Sequence, residues 1–182
     1  MDVYTLNREE TLLLVIDIQE RLARVMEQKE GVIRNAQILL QAAREMDMPI
    51  VTTEQYPKGL GPTVPELSGL LDPGRIFSKN SFTACTGEVS EELSSLGRKK
   101  ILIAGMETHV CVFQTCRDLL GAGFQVFLAR DAVCSRSRDN WINGLELIKK
   151  MGGRITNTET AVFDLLKVSG TDEFRTLSKL IK

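Results

Sequence analysis

The segment "KKILIAGMETHVCVFQTCRDLLGAGF", Lys99–Phe124, decides the fold of this chain. Its first half is an apolar run that predicts a buried strand, and its second half has the apolar spacing of an amphipathic helix. Cys111 lies where the predicted strand turns into the predicted helix. A strand that leads so directly into a helix is typical of a parallel sheet covered by helices.

The rest of the chain repeats this alternation. The run "TLLLVID" (11–17) is almost unbroken in its apolar character, as in a strand that is covered on both faces. A helix is predicted over 31–46, a second strand over 49–54 and a loop over 55–67, which holds three prolines. A short strand that runs into a loop is predicted at 75–82, and further strands at 124–131 and 154–158. Further helices are predicted at 87–97, 110–123, 138–153 and the C-terminus. The pattern predicts an α/β fold with a parallel sheet and helices on both faces.

Composition limits the function classes. The 182 residues carry a formal net charge of −1, which gives no electrostatic reason to expect nucleic acid or an anionic membrane as partner. We expect one domain, 1–182, with no membrane span, and the acidic and polar first ten residues do not resemble a signal peptide. A cytoplasmic location is therefore expected. The four cysteines lack metal-ligand spacing and are interpreted as free thiols.

Polar residues end the apolar runs, and parallel sheets bind ligands at the carboxyl ends of their strands. These polar positions are Asp17, Thr53 with Glu54, Lys79, Glu107 to Cys111, and Asp131.

Cys111 is the candidate nucleophile. In the first turn of a helix, unpaired backbone N–H groups and the helix dipole favour a thiolate and also stabilise an oxyanion. The alternative is a buried structural cysteine. Cys116 fits core packing better, and Cys85 and Cys134 are predicted to lie in loops.

Asp17 and Lys79 are the candidate partners of that thiol. A carboxylate at the end of a buried strand needs a cation, a metal or helix N–H groups to offset its desolvation, unless it simply caps the next helix. Lys79 is either a solvated surface residue or the cation that holds this carboxylate ionised. His109, the only histidine, lines a pocket, relays a proton or bonds to the backbone of its turn.

The motifs "LLLVIDIQERL", "TEQYPKGLGPTVPEL", "FSKNSFTA", "GMETHVCVFQTCRDLL" and "TNTETAVFDLL" together resemble the isochorismatase-like cysteine hydrolase superfamily, from about Leu12 to the C-terminus. The resemblance is greatest to its isochorismatase-domain-containing branch. It implies a three-layer α/β/α sandwich around a six-stranded parallel sheet.

The resemblance also implies a catalytic triad and its surroundings. By motif, the triad is Asp17, Lys79 and Cys111, with a cis peptide bond at Met106–Glu107 and an oxyanion held by the backbone N–H groups of Glu107 and Cys111. The predicted pocket residues, chosen for their positions beside these motifs, are Gln19, Tyr56, Phe82 and Thr108.

Two departures from family patterns narrow the expected chemistry. The region after the second strand has no histidine, so no metal and no other cofactor is expected, and nicotinamidase activity is disfavoured. Because Cys111 is present, thioester chemistry is favoured over ether hydrolysis.

The sequence therefore predicts a metal-independent cysteine hydrolase that cleaves a small amide, imide or related C–N bond and assembles as a homo-oligomer. Two alternatives stay open. One is a non-catalytic interaction module that keeps the fold, and the other is a thiol redox sensor centred on Cys111.

Overall fold

Six strands alternate with helices along residues 4–181, the part of the chain that the computed structural model describes. The strands are β1 (Thr11–Ile16), β2 (Ile50–Gln55), β3 (Ile76–Lys79), β4 (Lys100–Met106), β5 (Gln125–Cys134) and β6 (Arg154–Thr156). They form one sheet in the order β3-β2-β1-β4-β5-β6, and every neighbouring pair is parallel. The predicted six-stranded parallel sheet is confirmed.

Helices connect the strands. They are α1 (Glu20–Ala23), α2 (Lys29–Glu45), α3 (Pro57–Leu60), α4 (Pro65–Ser68), α5 (Gly87–Ser95), α6 (Phe113–Gly121), α7 (Arg138–Lys150), α8 (Thr158–Leu166) and α9 (Asp172–Leu180). A 3-10 turn, Pro73–Arg75, precedes β3, and a π-helical turn, Thr108–Val112, leads from β4 into α6. No helix within the described range is long and apolar enough to cross a bilayer.

The sheet is buried on both faces. Along β1, Leu13 and Val15 belong to the core cluster that includes the apolar sides of α2 and α8, whereas Leu12, Leu14 and Ile16 belong to the cluster that includes α5, α6 and α7. Alternate residues of one strand thus pack in opposite directions. This explains the unbroken apolar run in the sequence and gives three layers, α/β/α.

The strand order brings the polar strand ends together. From β1 the chain continues to β2, toward one edge of the sheet, and from β4 it continues to β5, toward the other edge. In such a sheet the ligand-binding crevice lies outside the carboxyl ends of those two strands. Asp17 directly follows β1, and Glu107 directly follows β4. The topology therefore gives both residues a place at this crevice.

Two details differ from the sequence prediction. The predicted loop at 55–67 contains the one-turn helices α3 and α4, because Pro57 and Pro65 stand at the first helical position, where proline is favoured.

Strand β5 was predicted to end at Asp131, but it continues to Cys134. Ile103 pairs with Leu128 and Gly105 with Val133, so β5 bulges around Asp131 and then returns to the sheet. The predictions that Asp131 ends this strand and that Cys134 lies in a loop are therefore wrong. The Asp131 carboxylate instead accepts hydrogen bonds from the backbone and hydroxyl of Thr158 at the start of α8.

Gly105 lets β1 and β4 approach each other closely beside the crevice. Its φ is +154°, and a Cβ at this position would lie 2.4 Å from the carbonyl oxygen of Ile16. We expect Gly105→Ala to lower the free energy of unfolding by about 2 kcal/mol or more, measured by urea denaturation. Gly31→Ala is the matched control, because a Cβ at that helical position meets nothing within 4 Å. The control should stabilise by up to about 1 kcal/mol, and equal losses in the two variants would contradict this account.

Candidate active site

Asp17 leaves β1 with a φ of +53°, a left-handed conformation that aspartate tolerates better than most residues. Its side chain is fully buried. Thr53 Oγ1 donates a hydrogen bond of 2.8 Å to Asp17 Oδ1, and Lys79 Nζ donates one of 2.6 Å to Asp17 Oδ2. The carboxylate is thus paired with a cation, and the interpretation of Asp17 as a simple helix cap does not describe this arrangement.

Lys79 ends β3 at the edge of the sheet, and its ammonium group is buried. Besides Asp17, Nζ donates to Gln55 Oε1 at 2.8 Å and to the carbonyl oxygens of Ser81 and Phe82, both at 3.2 Å. The interpretation of Lys79 as a solvated surface lysine is therefore wrong. Four acceptors surround one ammonium group and fix its position.

Cys111 lies in the π-helical turn, with 6% of its surface exposed. The Asp17 carboxylate lies near enough to this thiol for each group to affect the pKa of the other. Burial, with a further contribution from the negative charge of Asp17, raises the pKa of the Cys111 thiol to about 12, although Lys79 and the backbone of Glu107 act in the opposite direction. The expectation that the helix end would favour a free thiolate is therefore wrong, since desolvation outweighs it.

The pKa of Asp17 is raised as well, again because its side chain is buried. Lys79 and the hydrogen bonds from Thr53 and Cys111 favour the ionised form and oppose this effect. A carboxylate whose pKa is raised, next to a neutral thiol, is arranged to accept the thiol proton when the sulfur reacts.

The turn that carries Cys111 is held from two sides. The Met106–Glu107 peptide bond is cis, the position that the family resemblance implied. Arg136 donates from its backbone N–H and from Nε to Glu107 Oε2, at 2.9 and 3.1 Å, and His109 Nδ1 lies 2.9 Å from Ser135 Oγ. His109 thus bonds to a side chain rather than to the backbone of its turn.

Helix α7 packs directly on the other side of this turn. A Cβ at Gly144 would lie 2.9 Å from the carbonyl carbon and oxygen of Thr108. The absence of a side chain at Gly144 therefore permits the close approach of α7 that supports the turn.

The four predicted pocket residues have different surroundings. Tyr56 and Phe82 lie beside Lys79, because the Tyr56 N–H donates to the Lys79 carbonyl oxygen and the Phe82 carbonyl oxygen accepts from Lys79 Nζ. Of their surface, 54% and 55% is exposed. Thr108 is fully buried, and its hydroxyl has no hydrogen-bond partner within residues 4–181.

Gln19 is fully buried as well. Its amide donates to the carbonyl oxygens of Gln55 and Gly61, and its oxygen accepts the N–H of Gln55. Gln19 therefore connects the end of β2 to the α3 loop.

The other cysteines lie apart from this pair of charges. Cys116 is buried in α6, as predicted, and Cys85 is partly buried next to it. Cys134 is buried at the end of β5, where burial raises its pKa to about 12. Across residues 4–181, no three side chains of His, Cys, Asp or Glu are grouped so that they could hold a metal ion.

Sequence reasoning missed three supporting residues. Gln55, which accepts a hydrogen bond from Lys79, and Thr115, which donates one to the Cys111 carbonyl oxygen, were found only through these contacts. A glutamine or threonine in a strand or helix carries no signal by itself. Gly144 had a signal, since a glycine inside a helical pattern often marks a close approach.

Comparisons with known proteins point to one family. A family model described as "Isochorismatase domain" matches residues 11–160. A protein named secreted isochorismatase effector Isc1, from Phytophthora sojae, is 39% identical over 177 residues, which cover 94% of this chain and 84% of that protein. Isochorismatase domain-containing protein 2 from Xenopus laevis is 35% identical over 97% of this chain and 85% of its own.

A solved structure adds the same result in three dimensions. The structure described as MAR1 ribonuclease from Caenorhabditis elegans superposes with a TM-score of 0.92 at 34% identity and covers 97% of this chain and 92% of that one.

Removing the Thr53 hydroxyl tests how much its hydrogen bond to the buried Asp17 carboxylate stabilises the protein. We expect Thr53→Val to lower the free energy of unfolding by about 1.5–3 kcal/mol, because a hydrogen bond to a buried charge is lost. The adjacent Thr52 is the matched control: it is equally buried, and its hydroxyl has no partner in the described part of the chain. Thr52→Val should change the stability by less than about 0.5 kcal/mol in urea denaturation at pH 7. Similar losses in both variants would contradict the assignment.

The raised pKa of the Cys111 thiol predicts a pH dependence of stability. Well below pH 9 the thiol is protonated in both the folded and the unfolded state. Between pH 9 and about 12 the unfolded state loses this proton first, so the free energy of unfolding falls as the pH rises.

Urea denaturation between pH 8 and 10.5 measures this slope, which approaches about 1.4 kcal/mol per pH unit for one thiol. Cys111→Ala should show a shallower decline than the wild type. An unchanged slope would show that burial does not hold this proton.

Proposed function

Because the chain belongs to the isochorismatase family, we propose that it is a cysteine hydrolase that cleaves a small amide, imide or related C–N bond through a thioester on Cys111. One observation carries this proposal: a buried aspartate, paired with a buried lysine at 2.6 Å, interacts with the thiol of a cysteine in the turn between a strand and a helix. A carboxylate, an ammonium group and a sulfur in this arrangement supply a base, its counter-ion and a nucleophile.

In the first half of the proposed reaction, Asp17 accepts the Cys111 proton as Sγ attacks the substrate carbonyl carbon. The resulting oxyanion is held by the backbone N–H groups of Glu107 and Cys111, a role supported by the interaction of the Glu107 backbone with the sulfur. The C–N bond then breaks, the amine takes the proton from Asp17, and the acyl group stays on sulfur.

In the second half, water attacks the thioester and gives a proton to Asp17. The C–S bond breaks, the acid leaves, and the sulfur recovers its proton. Lys79 keeps the Asp17 carboxylate in place throughout. No step needs a metal or another cofactor.

The proposed substrate pocket is inferred from the positions of its residues beside the triad. Tyr56, Phe82 and Thr108 are proposed pocket residues, and Gln19 is proposed to shape the pocket through the loop that it holds. The half-exposed rings of Tyr56 and Phe82 beside Lys79 are also the basis for proposing a homo-oligomer, in which a neighbouring subunit covers them. A cytoplasmic location stays a prediction, and the P. sojae relative carries the word secreted in its name.

The C. elegans neighbour is described as a ribonuclease. The formal net charge of −1 provides no general attraction for a phosphate backbone. RNA nevertheless belongs in the substrate panel as a direct comparison.

The test uses a panel of small amides and imides, with RNA as a separate arm, and looks for an acyl adduct on Cys111 by mass spectrometry. We expect Cys111→Ala to form no adduct and to lose about 10³-fold or more in kcat. Cys134→Ala is the matched control, because that thiol is also buried and has a similarly raised pKa. It should retain activity within about threefold.

Three outcomes would overturn the proposal. They are full activity of Cys111→Ala, no adduct across the panel on a demonstrably reduced thiol, or RNA cleavage that is independent of Cys111. Full activity of Cys111→Ala would mean that another residue supplies the nucleophile, and the absence of any adduct across the panel would favour the interaction module. Reversible oxidation of Cys111 by mild peroxide, without turnover of any amide, would favour the redox sensor.

A further inference from the structure

We propose that Thr115 is a positioning residue that sets the relative placement of Lys79 and Cys111, an inference that rests on the function proposed above. Thr115 lies in α6, fully buried, one turn beyond the nucleophile. Its hydroxyl does not touch the proposed reacting atoms, so any effect on the reaction passes through the residues that it binds.

The Thr115 hydroxyl makes two hydrogen bonds. Oγ1 donates to the carbonyl oxygen of Cys111 at 2.6 Å and accepts the backbone N–H of Ala84 at 2.8 Å. The first bond alone is ordinary, because threonine often bonds the carbonyl four residues earlier in a helix. The second bond is not local, since it joins α6 to a segment 31 residues away.

That segment is the connection between Lys79 and Cys85. It begins with the ammonium-bearing residue, and the carbonyl oxygens of Ser81 and Phe82 accept hydrogen bonds from Lys79 Nζ. It ends at Ala84, which is fully buried and bound to Thr115. The direction of the ammonium group therefore depends on the path of this segment, and Thr115 fixes its far end.

These contacts close a ring. On one side, Asp17 joins the ammonium group of Lys79 to the thiol of Cys111. On the other side, Thr115 joins the backbone of Cys111 to the segment that follows Lys79. A displacement of α6 against this segment would change the distance from the thiol to both charges, and catalysis is sensitive to such displacements.

The decisive variant is Thr115→Val, which keeps the shape of the side chain and removes both hydrogen bonds. Thr115→Ser keeps both bonds and serves as the rescue variant. Leu119→Val, in the same helix and fully buried, controls for a loss of stability without a change in these bonds. Thr115→Ala replaces the valine variant if that variant does not fold.

The first readout is the rate at which iodoacetamide alkylates Cys111 between pH 7 and 10. Fragment ions of the tryptic peptide Ile101–Arg117 separate Cys111 from Cys116. The second readout is kcat and KM for any amide that the wild type hydrolyses.

With Thr115→Val, we expect Cys111 to react at least about fivefold faster at pH 8, because the thiol becomes less buried. We also expect kcat to fall about tenfold while KM stays within about twofold. Thr115→Ser should restore both readouts, and Leu119→Val should move neither at a temperature where it is folded.

The proposal is overturned if folded Thr115→Val behaves like Leu119→Val, or if Thr115→Ser fails to restore the wild-type alkylation profile. Because alkylation needs no substrate, this arm decides on Thr115 even if no amide is hydrolysed. If no amide is hydrolysed, the proposed function fails, and the alkylation rates alone decide whether Thr115 is a positioning residue.

Discussion

The rest of the site depends on one buried ion pair, Lys79 with Asp17. Two charges can be buried at low cost only when they meet and their remaining hydrogen-bonding groups are satisfied, and removing one partner of such a pair typically costs about 3–5 kcal/mol. Here Thr53 donates a hydrogen bond to the carboxylate, and Gln55 and two backbone carbonyl oxygens accept hydrogen bonds from the ammonium group. Adjacent strands lie about 4.8 Å apart, so β3 and β1 are separated by about 10 Å. The Lys79 side chain reaches across the end of β2, and the Asp17 side chain together with the 2.6 Å hydrogen bond covers the rest of this distance.

The same burial decides the state of the thiol. A helix start favours a thiolate and an apolar environment disfavours it, and at Cys111 the second effect is larger. The raised pKa keeps the Cys111 thiol protonated at neutral pH, beside a carboxylate whose own pKa is raised. In the reaction proposed above, the thiol proton passes to this neighbouring carboxylate, and neither group has to be charged alone in the core.

The sequence was sufficient to predict the sheet and the triad candidates, but not the residues that hold these candidates in place. Strands β1 and β4 are covered on both faces, so their apolar runs were unmistakable, and Asp17 and Cys111 were found because they end such runs. Periodicity failed at β5, where a bulge carries Asp131 out of the ladder and the strand then resumes. Thr115 and Gln55 bind residues that are distant in the chain, Ala84 and Lys79, and a local pattern does not encode such contacts. The neutral thiol also escaped prediction, because desolvation depends on everything that packs around the sulfur.

The shell around the Lys79 ammonium group has a consequence for molecular recognition. Its three N–H groups face four acceptors that all belong to the protein. An arriving anion would have to displace one of these acceptors and disturb the charge balance of the crevice. For the proposed hydrolase, discrimination between small substrates therefore falls to shape and to backbone dipoles, and neutral molecules enter at the least electrostatic cost.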